Sequence, residues 1–172
     1  VCAMEMDPSA AESAAKLSGI EIKIGWLPDN IPFTQTFDVI CLFDVLEHVE
    51  HDKTALLKIT QLLKPGGIII LTVPAHQWLY GKHDRMHHHF RRYSSSALKK
   101  IIPSDDMEII KFSHFNFILF PILVLSRLMD MVFKHETPTG YNTPNIFLNT
   151  LLYTIFCLES YLTDIKHIPF GG

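Results

Sequence analysis

The chain lacks a glycine-rich loop. Its glycines are scattered, and only Gly66-Gly67 and Gly171-Gly172 are adjacent. Cysteine is also scarce. Cys2, Cys41 and Cys157 sit apart in apolar contexts, which excludes metal-site spacing and a disulfide framework and fits core thiols in a reducing compartment. Basic charge is not in excess. A net charge of -3 argues against a general nucleic-acid binder. There is no signal-peptide pattern, internal repeat or low-complexity segment. No apolar run of about 20 residues is free of interruption, so a spanning helix is not expected. The first residue is Val rather than Met, which suggests a piece of a longer chain.

What is present suffices for one domain. The 172 residues are 48% hydrophobic, enough for a buried core and too many for disorder. Val1 to Met6 reads as a short strand ending in an acid. Asp7-Pro8 is a helix start, and Gly19 closes the Ala-rich helix that follows. Glu21 to Gly25 is a second strand, followed by a proline-containing loop to Thr36. Phe37 to Phe43 is a near-continuous apolar strand, the pattern expected where helices cover both faces. Asp52 to Leu63 carries Ala55, Leu56, Ile59, Leu62 and Leu63 at helical spacing. Pro65-Gly66-Gly67 breaks that helix, and Ile68 to Val73 is another strand.

His76 to Tyr93 is a polar loop rich in His and Arg, Ser94 to Ile102 a short helix, and Met107 to Phe112 a further strand. Alternating strands and helices imply a doubly wound, parallel α/β sheet of Rossmann-like type. Beyond Ser113 the chain becomes strongly apolar over Phe115 to Phe133 and Ile146 to Leu162, with His135 to Pro144 linking them as a helical hairpin. The whole is read as one partial domain. Residues 1-112 supply core strands and helices, 113-167 an apolar helical insert and 168-172 the start of a last strand.

The polar residues gather after strands. In an open parallel sheet, ligands bind beyond the carboxyl ends of the strands. Glu5 ends the first strand and suits a ribose diol, or is an exposed acid at a helix entrance; Asp7, its rival, is committed to capping. Trp26 either stacks on a purine or lies in the core. Asp44, Glu47 and His48 follow the third strand directly. His48 either takes a proton near neutral pH or caps and pairs locally. In the loop, His83, Asp84, His87 and His88 could ligate a transition metal. Alternatively Lys82, Arg85, Arg91 and Arg92 suit an anionic substrate, or the whole stretch is a solvated surface.

The stretch D-x-L-E-H-V with L-x-P-G-G, Asp44 to Val49 and Leu63 to Gly67, resembles class I S-adenosylmethionine (SAM)-dependent methyltransferases of the small-molecule type. The resemblance covers residues 1 to 110 well and the rest loosely. It implies SAM as cofactor, bound by Glu5, Met6, Trp26, Leu27, Phe43 and Asp44. It implies His48, His83 and His87 as catalytic candidates, and His76, Arg91, Arg92 and Tyr93 beside the methyl acceptor, without a metal. An H-x-R-x-Y-like stretch after the fifth strand, such as the family carries, favours the substrate-pocket reading of the loop. Trp26 departs from the family's frequent Asp, which would accept a hydrogen bond from the adenine amine; Trp cannot. The family's first, central strand and its glycine-rich loop are expected ahead of Val1, in a longer parent.

The implied function is methyl transfer to oxygen or nitrogen of a small-molecule or lipid-linked acceptor, with an acidic acceptor suited to the loop. The expected setting is the cytoplasm or a membrane surface touched through 115-162, and the oligomeric state is open. Two alternatives stand beside it. One is a nicotinamide-dependent Rossmann enzyme, which also needs Glu5 for ribose but lacks a Tyr-x-x-x-Lys pair here. The other is a non-catalytic membrane-associated interaction protein built on the apolar hairpin.

Overall fold

A computed structural model describes residues 1–133, 145–165, 168, 170 and 171, without the side chains of 130–133 and 162–165. The chain divides into two compact units. One holds Val1–Thr72 with Ile101–Asp106, the other Val73–Lys100 with Met107–Gly171.

The first unit is two parallel strand pairs, each joined by a helix. β1 (Ala3–Glu5) pairs with β2 (Ile22–Ile24) in the register Ala3 to Ile22 and Glu5 to Ile24. Between them lies α1 (Pro8–Ser18). Its ends form as the sequence predicts. The Asp7 carboxylate accepts from the N–H groups of Ser9 and Ala10, and Gly19 closes the helix in a left-handed conformation at φ 70°. These bonds hold the Asp7 carboxyl below the usual carboxylate range, the Ser9 side chain contributing most.

β3 (Phe37–Phe43) pairs with β4 (Leu63–Thr72), and α2 (Asp52–Thr60) connects them. Ala55, Leu56 and Ile59, at helical spacing on α2, are buried. The structure extends β4 through the expected Pro65-Gly66-Gly67 break. Phe37 faces Leu63 and Val39 faces Ile68, so Lys64 to Gly67 form a bulge opposite Asp38. Gly66 has φ 77°, a conformation a side chain would strain. Lys64 Nζ lies 2.9 Å from Asp38 Oδ2 across the bulge and draws that carboxyl's pKa down, chiefly by hydrogen bonding.

The expectation that helices cover both faces of these strands is corrected. Val39 is 50% exposed, Phe43 56% and Ile70 47%. Among the described residues the two strand pairs form separate sheets, not one continuous sheet. Met107 to Phe112 is not a strand either. Ile110 is 78% exposed, and among the described residues no strand pairs with this run to satisfy its backbone groups.

In the second unit the expected polar loop contains a 3-10 turn, Gln77–Leu79, and a short helix, α3 (Lys82–Met86). α4 (Ser95–Ile101) follows, capped by Ser94 Oγ, which accepts from Ala97 N–H at 3.2 Å. α5 (Phe120–Phe133) and α6 (Ile146–Ile165) are the apolar helices. α5 begins later than expected because the Glu159 carboxylate of α6 holds the N–H groups of Phe117 and Ile118, at 2.8 and 3.0 Å, in the preceding turn. The expected linker from His135 to Pro144 lies outside the described residues. No described helix is long and apolar enough to cross a membrane.

One glycine of the first unit is sterically required. A Cβ on Gly25 would meet Asn30 O and Pro32 Cδ at 2.6 Å each. Gly25→Ala should therefore lower unfolding free energy by about 1–3 kcal/mol, read as a fall in the urea midpoint at unchanged slope.

Candidate functional site

In the first unit, the sites read from sequence lie at carboxyl ends of strands. β1 ends in Glu5. Its Oε1 accepts from Met6 N–H at 2.8 Å and Asp7 N–H at 3.0 Å, which fixes the carboxylate at the strand tip. Gly25 N–H donates to Glu5 O at 3.1 Å, so the turn after β2 lies against the end of β1. That turn carries Trp26 and Leu27, and Trp26 pairs with Asn30 through two backbone hydrogen bonds of 2.8 and 3.0 Å. Trp26 is 45% exposed and Met6 67%, so neither is a core residue. The structure thus brings an oriented acid together with an exposed indole on a neighbouring turn.

The second pair of strands ends in a polar lock. Asp44 has φ 50°. Its N–H lies 3.1 Å from both the carbonyl and the hydroxyl oxygen of Thr72, and the Thr72 hydroxyl donates to Asp44 Oδ1 at 3.1 Å. Phe43 stands exposed beside it. A single 3-10 turn, Leu46–His48, then buries Leu46 and Glu47 completely and leaves His48 exposed. The sequence reading put Glu47 in this strand-end cluster but gave it no role, and the structure buries it. Its position after the apolar strand, in D-x-L-E-H, was the available signal.

In the second unit, Asp84 organises the histidine-rich loop. It has no exposed side-chain surface. Oδ2 accepts from Gly81 N–H at 2.9 Å, capping α3. Oδ1 accepts from Arg92 Nε at 2.7 Å and faces His89 Nδ1 at 3.1 Å. Burial pushes the Asp84 carboxyl up, but the Gly81 bond and the Arg92 guanidinium outweigh it and hold the group below the usual carboxylate range. An ionised carboxylate only accepts, so His89 carries its proton on Nδ1. Both oxygens face donors, which removes Asp84 from the metal-ligand reading.

The remaining loop residues are held by backbone. Arg92 N–H donates to Gln77 Oε1 at 2.9 Å and its guanidinium to Ala75 O at 3.2 Å. Tyr93 is buried, and its N–H and C=O tie to Pro74 and His76 at 2.9 and 3.0 Å. Arg92 and Tyr93 thus close the loop. Arg91 is partly exposed beside the Phe90 ring, 5.8 Å from its centroid. His76 has φ 62°, and its Nε2 lies 2.9 Å from Gly171 O, with the ring stacked 5.7 Å from His114. His83 and His87 are neighbours, with ring centroids 4.4 Å apart. His83 Nδ1 is buried with no hydrogen-bond partner. Burial, then the Arg127 and His87 charges, pull the His83 pKa down to about 4. It is therefore neutral and a weak base near pH 7.

A family model described as a methyltransferase domain matches residues 3–110. No curated relative matches the chain. A solved structure from Bacillus halodurans, assigned as a methyltransferase, superposes with a TM-score of 0.51 at 18% identity, covering 59% of this chain and 50% of that one. The YcgJ protein from Bacillus subtilis gives a TM-score of 0.48 at 18% identity, over 58% of this chain and 49% of that one. The chain spans about half the length of these structures. At such identity the first likeness speaks for fold, an α/β architecture with parallel strands.

His83 makes stability depend on pH. The unfolded chain takes up its proton near the ordinary value of 6.5, whereas the folded chain does so only near 4. Between those values the unfolded state binds more protons, so stability falls as pH falls through that window. Asp84 acts below it: its depressed pKa stabilises above the unfolded carboxylate value and that stability is lost on further acidification. Urea unfolding across this range should show the fall, and His83→Gln should flatten it between 6.5 and 4.

Proposed function

The chain belongs to the methyltransferase-domain family, and we propose that the protein transfers a methyl group from SAM to oxygen or nitrogen of a small-molecule or lipid-linked acceptor. The observation that carries this reading is the strand-end arrangement of the first unit. Glu5 is oriented by two N–H groups, and Trp26 and Met6 stand exposed nearby. An acid of this kind suits a ribose diol, and the indole and thioether suit a purine face. These residues fit the adenosine half of SAM. Leu27 follows Trp26 in the turn after β2, Phe43 ends β3 and Asp44 follows it, and these would face the rest of the cofactor. The bound cofactor would supply an activated methyl on sulfonium. The protein's part is then positioning, and removal of the acceptor's proton.

His48, His83 and His87 remain candidates for that removal; the low pKa of His83 weighs against it. His76, Arg91, Arg92 and Tyr93 would stand on the acceptor side. Arg92 serves there by holding the loop, since Asp84 and Ala75 already engage its guanidinium. Arg91 is the cation better placed for an acidic acceptor.

The lipid-linked acceptor is favoured by one feature of the second unit. Phe147, Leu151, Leu158 and Tyr161 share one face of α6 and are 80%, 49%, 61% and 70% exposed. Glu159, on the opposite side, is buried and holds the turn before α5. Ile122 and Leu125 of α5 are 66% and 59% exposed. Apolar side chains this exposed suit a lipid surface on which the helices lie. The proposed setting is the cytoplasmic side of a membrane, touched peripherally.

Two measurements on the full-length protein test this reading. Calorimetry with SAM, S-adenosylhomocysteine and NAD should show binding of the first two. Glu5→Ala should weaken SAM by roughly 1.5–3 kcal/mol, the scale of a hydrogen bond to a charged group. Binding of NAD alone would move the protein to the nicotinamide class. Membrane fractionation should release the protein with salt or carbonate. Retention until detergent is added would refute the peripheral placement.

A further inference from the structure

We propose that Thr72 is a positioning residue for cofactor binding: its hydroxyl holds the Asp44 carboxylate at the tip of β3 so that Oδ2 accepts from the α-ammonium of SAM. The inference rests on the methyltransferase reading and adds to it a residue and the ligand group that Asp44 meets.

Both residues belong to the first unit. Thr72 ends β4 opposite Phe43, so Asp44 is the first residue beyond the paired strands. The Asp44 N–H lies 3.1 Å from the Thr72 carbonyl oxygen, which already satisfies that donor. The Thr72 hydroxyl lies 3.1 Å from the same N–H and donates to Asp44 Oδ1, also at 3.1 Å. Its contact with the N–H duplicates what the backbone does. Its bond to Oδ1 has no such duplicate, and it alone ties the carboxylate. Among the described residues Oδ2 makes no hydrogen bond, and the side chain is exposed.

The backbone of Asp44 is held as well. Its φ of 50° is a left-handed conformation that is uncommon outside glycine, although Asp tolerates it better than most residues. A conformation of this kind persists where the surroundings over-determine it. β4 fixes it on one side through Thr72. On the other side the 3-10 turn Leu46–His48 fixes it, with Leu46 and Glu47 buried. The strand end thus offers a carboxylate with one oxygen tied and the other uncommitted.

The chemistry of SAM selects what that oxygen meets. Glu5 suits the ribose diol and Trp26 the purine, which leaves the sulfonium, the α-carboxylate and the α-ammonium. A carboxylate repels the α-carboxylate. The sulfonium has no N–H or O–H to donate. The α-ammonium has three N–H donors, and its bond to a carboxylate is charge-assisted. A side chain already fixed binds it without first losing rotamer freedom, and this is what the Thr72 hydroxyl contributes.

The test is calorimetry on the full-length protein with two ligands. S-adenosylhomocysteine carries the α-ammonium. Methylthioadenosine has the same nucleoside and thioether without the amino-acid part. Thr72→Val keeps the shape of the side chain and removes the hydroxyl. It should weaken S-adenosylhomocysteine about tenfold and leave methylthioadenosine within about twofold. Thr72→Ser keeps the hydroxyl and should hold both affinities within about threefold of wild type. Asp44→Ala, at an exposed position, should show the same split as Thr72→Val. If it does not, the proposal is overturned whether or not the Thr72→Val protein folds. Equal losses for both ligands in folded Thr72→Val make the hydroxyl a purely structural tie, and unchanged affinity makes it idle; either result overturns the proposal. A loss for SAM with none for S-adenosylhomocysteine moves Asp44 to the sulfonium and overturns it too. A wild type that binds neither ligand sinks the methyltransferase reading itself, and the role of Thr72 falls with it.

Discussion

A carboxylate stripped of water must be met by donors, or it destabilises the fold by several kcal/mol. Asp84 meets this constraint with donors from three places: the start of α3, the side chain of Arg92 and the ring of His89. Each partner is thereby fixed. Arg92 in turn spans to Ala75 and Gln77, and Tyr93 next to it is tied to Pro74 and His76. The loop from His76 to Tyr93 is long, with two short turns of helix and little apolar core beyond Ala75, Leu79 and Tyr93. Its order comes mainly from this one charged hub. A loop held in that way presents its polar side chains from a rigid base, which is what positioning chemistry requires.

The first unit works by a different economy. β3 and β4 are read in sequence as strands buried on both faces, and their apolar runs are real. Yet Val39, Phe43, Ile68 and Ile70 remain substantially exposed. α1 packs on β1 and β2, and α2 turns Ala55, Leu56 and Ile59 inward beside the 3-10 turn. Neither helix covers all the apolar surface the strands offer. The exposed Phe43 at the strand tip has a second use, because a cofactor or substrate needs apolar side chains within reach of polar ones. The bulge at Lys64 to Gly67 lets the strands pair on either side of an irregular turn.

Much of this was legible because it is local. The Asp7 cap, the Gly19 close, the apolar spacing of α2 and the run of β3 each depend on residues within a few positions. The failures are non-local. Met107 to Phe112 carries the composition of a strand, but a strand exists only when a neighbour satisfies its backbone, and no partner is announced in the sequence. Pro65-Gly66-Gly67 signals a break in α2 and also serves as a bulge in β4, a role set by Phe37 and Val39 more than twenty residues earlier. The strand-end positions of Glu5, Trp26 and Asp44 were readable from strand order. Their local bonds, such as Asp44 to Thr72, were not.

Asp84 and His89 show why the chemistry was harder to read than the fold. In sequence, His83, His87, His88 and His89 look interchangeable, and four-residue spacing favours His83 with His87. The fold separates them by environment. His83 has a buried ring nitrogen with no hydrogen bond and loses its proton to burial and nearby cations. His89 faces a carboxylate. The feature that distinguishes them is Asp84 at the third position of α3, where an acid caps the helix it belongs to. Capping accounts for one oxygen of that carboxylate. The other oxygen, turned toward Arg92 and His89, converts a helix cap into an anchor for the loop. A residue whose two oxygens serve two levels of structure cannot be exchanged for one that serves either alone, and this coupling of cap to ring is what gives the loop a histidine in a defined tautomer.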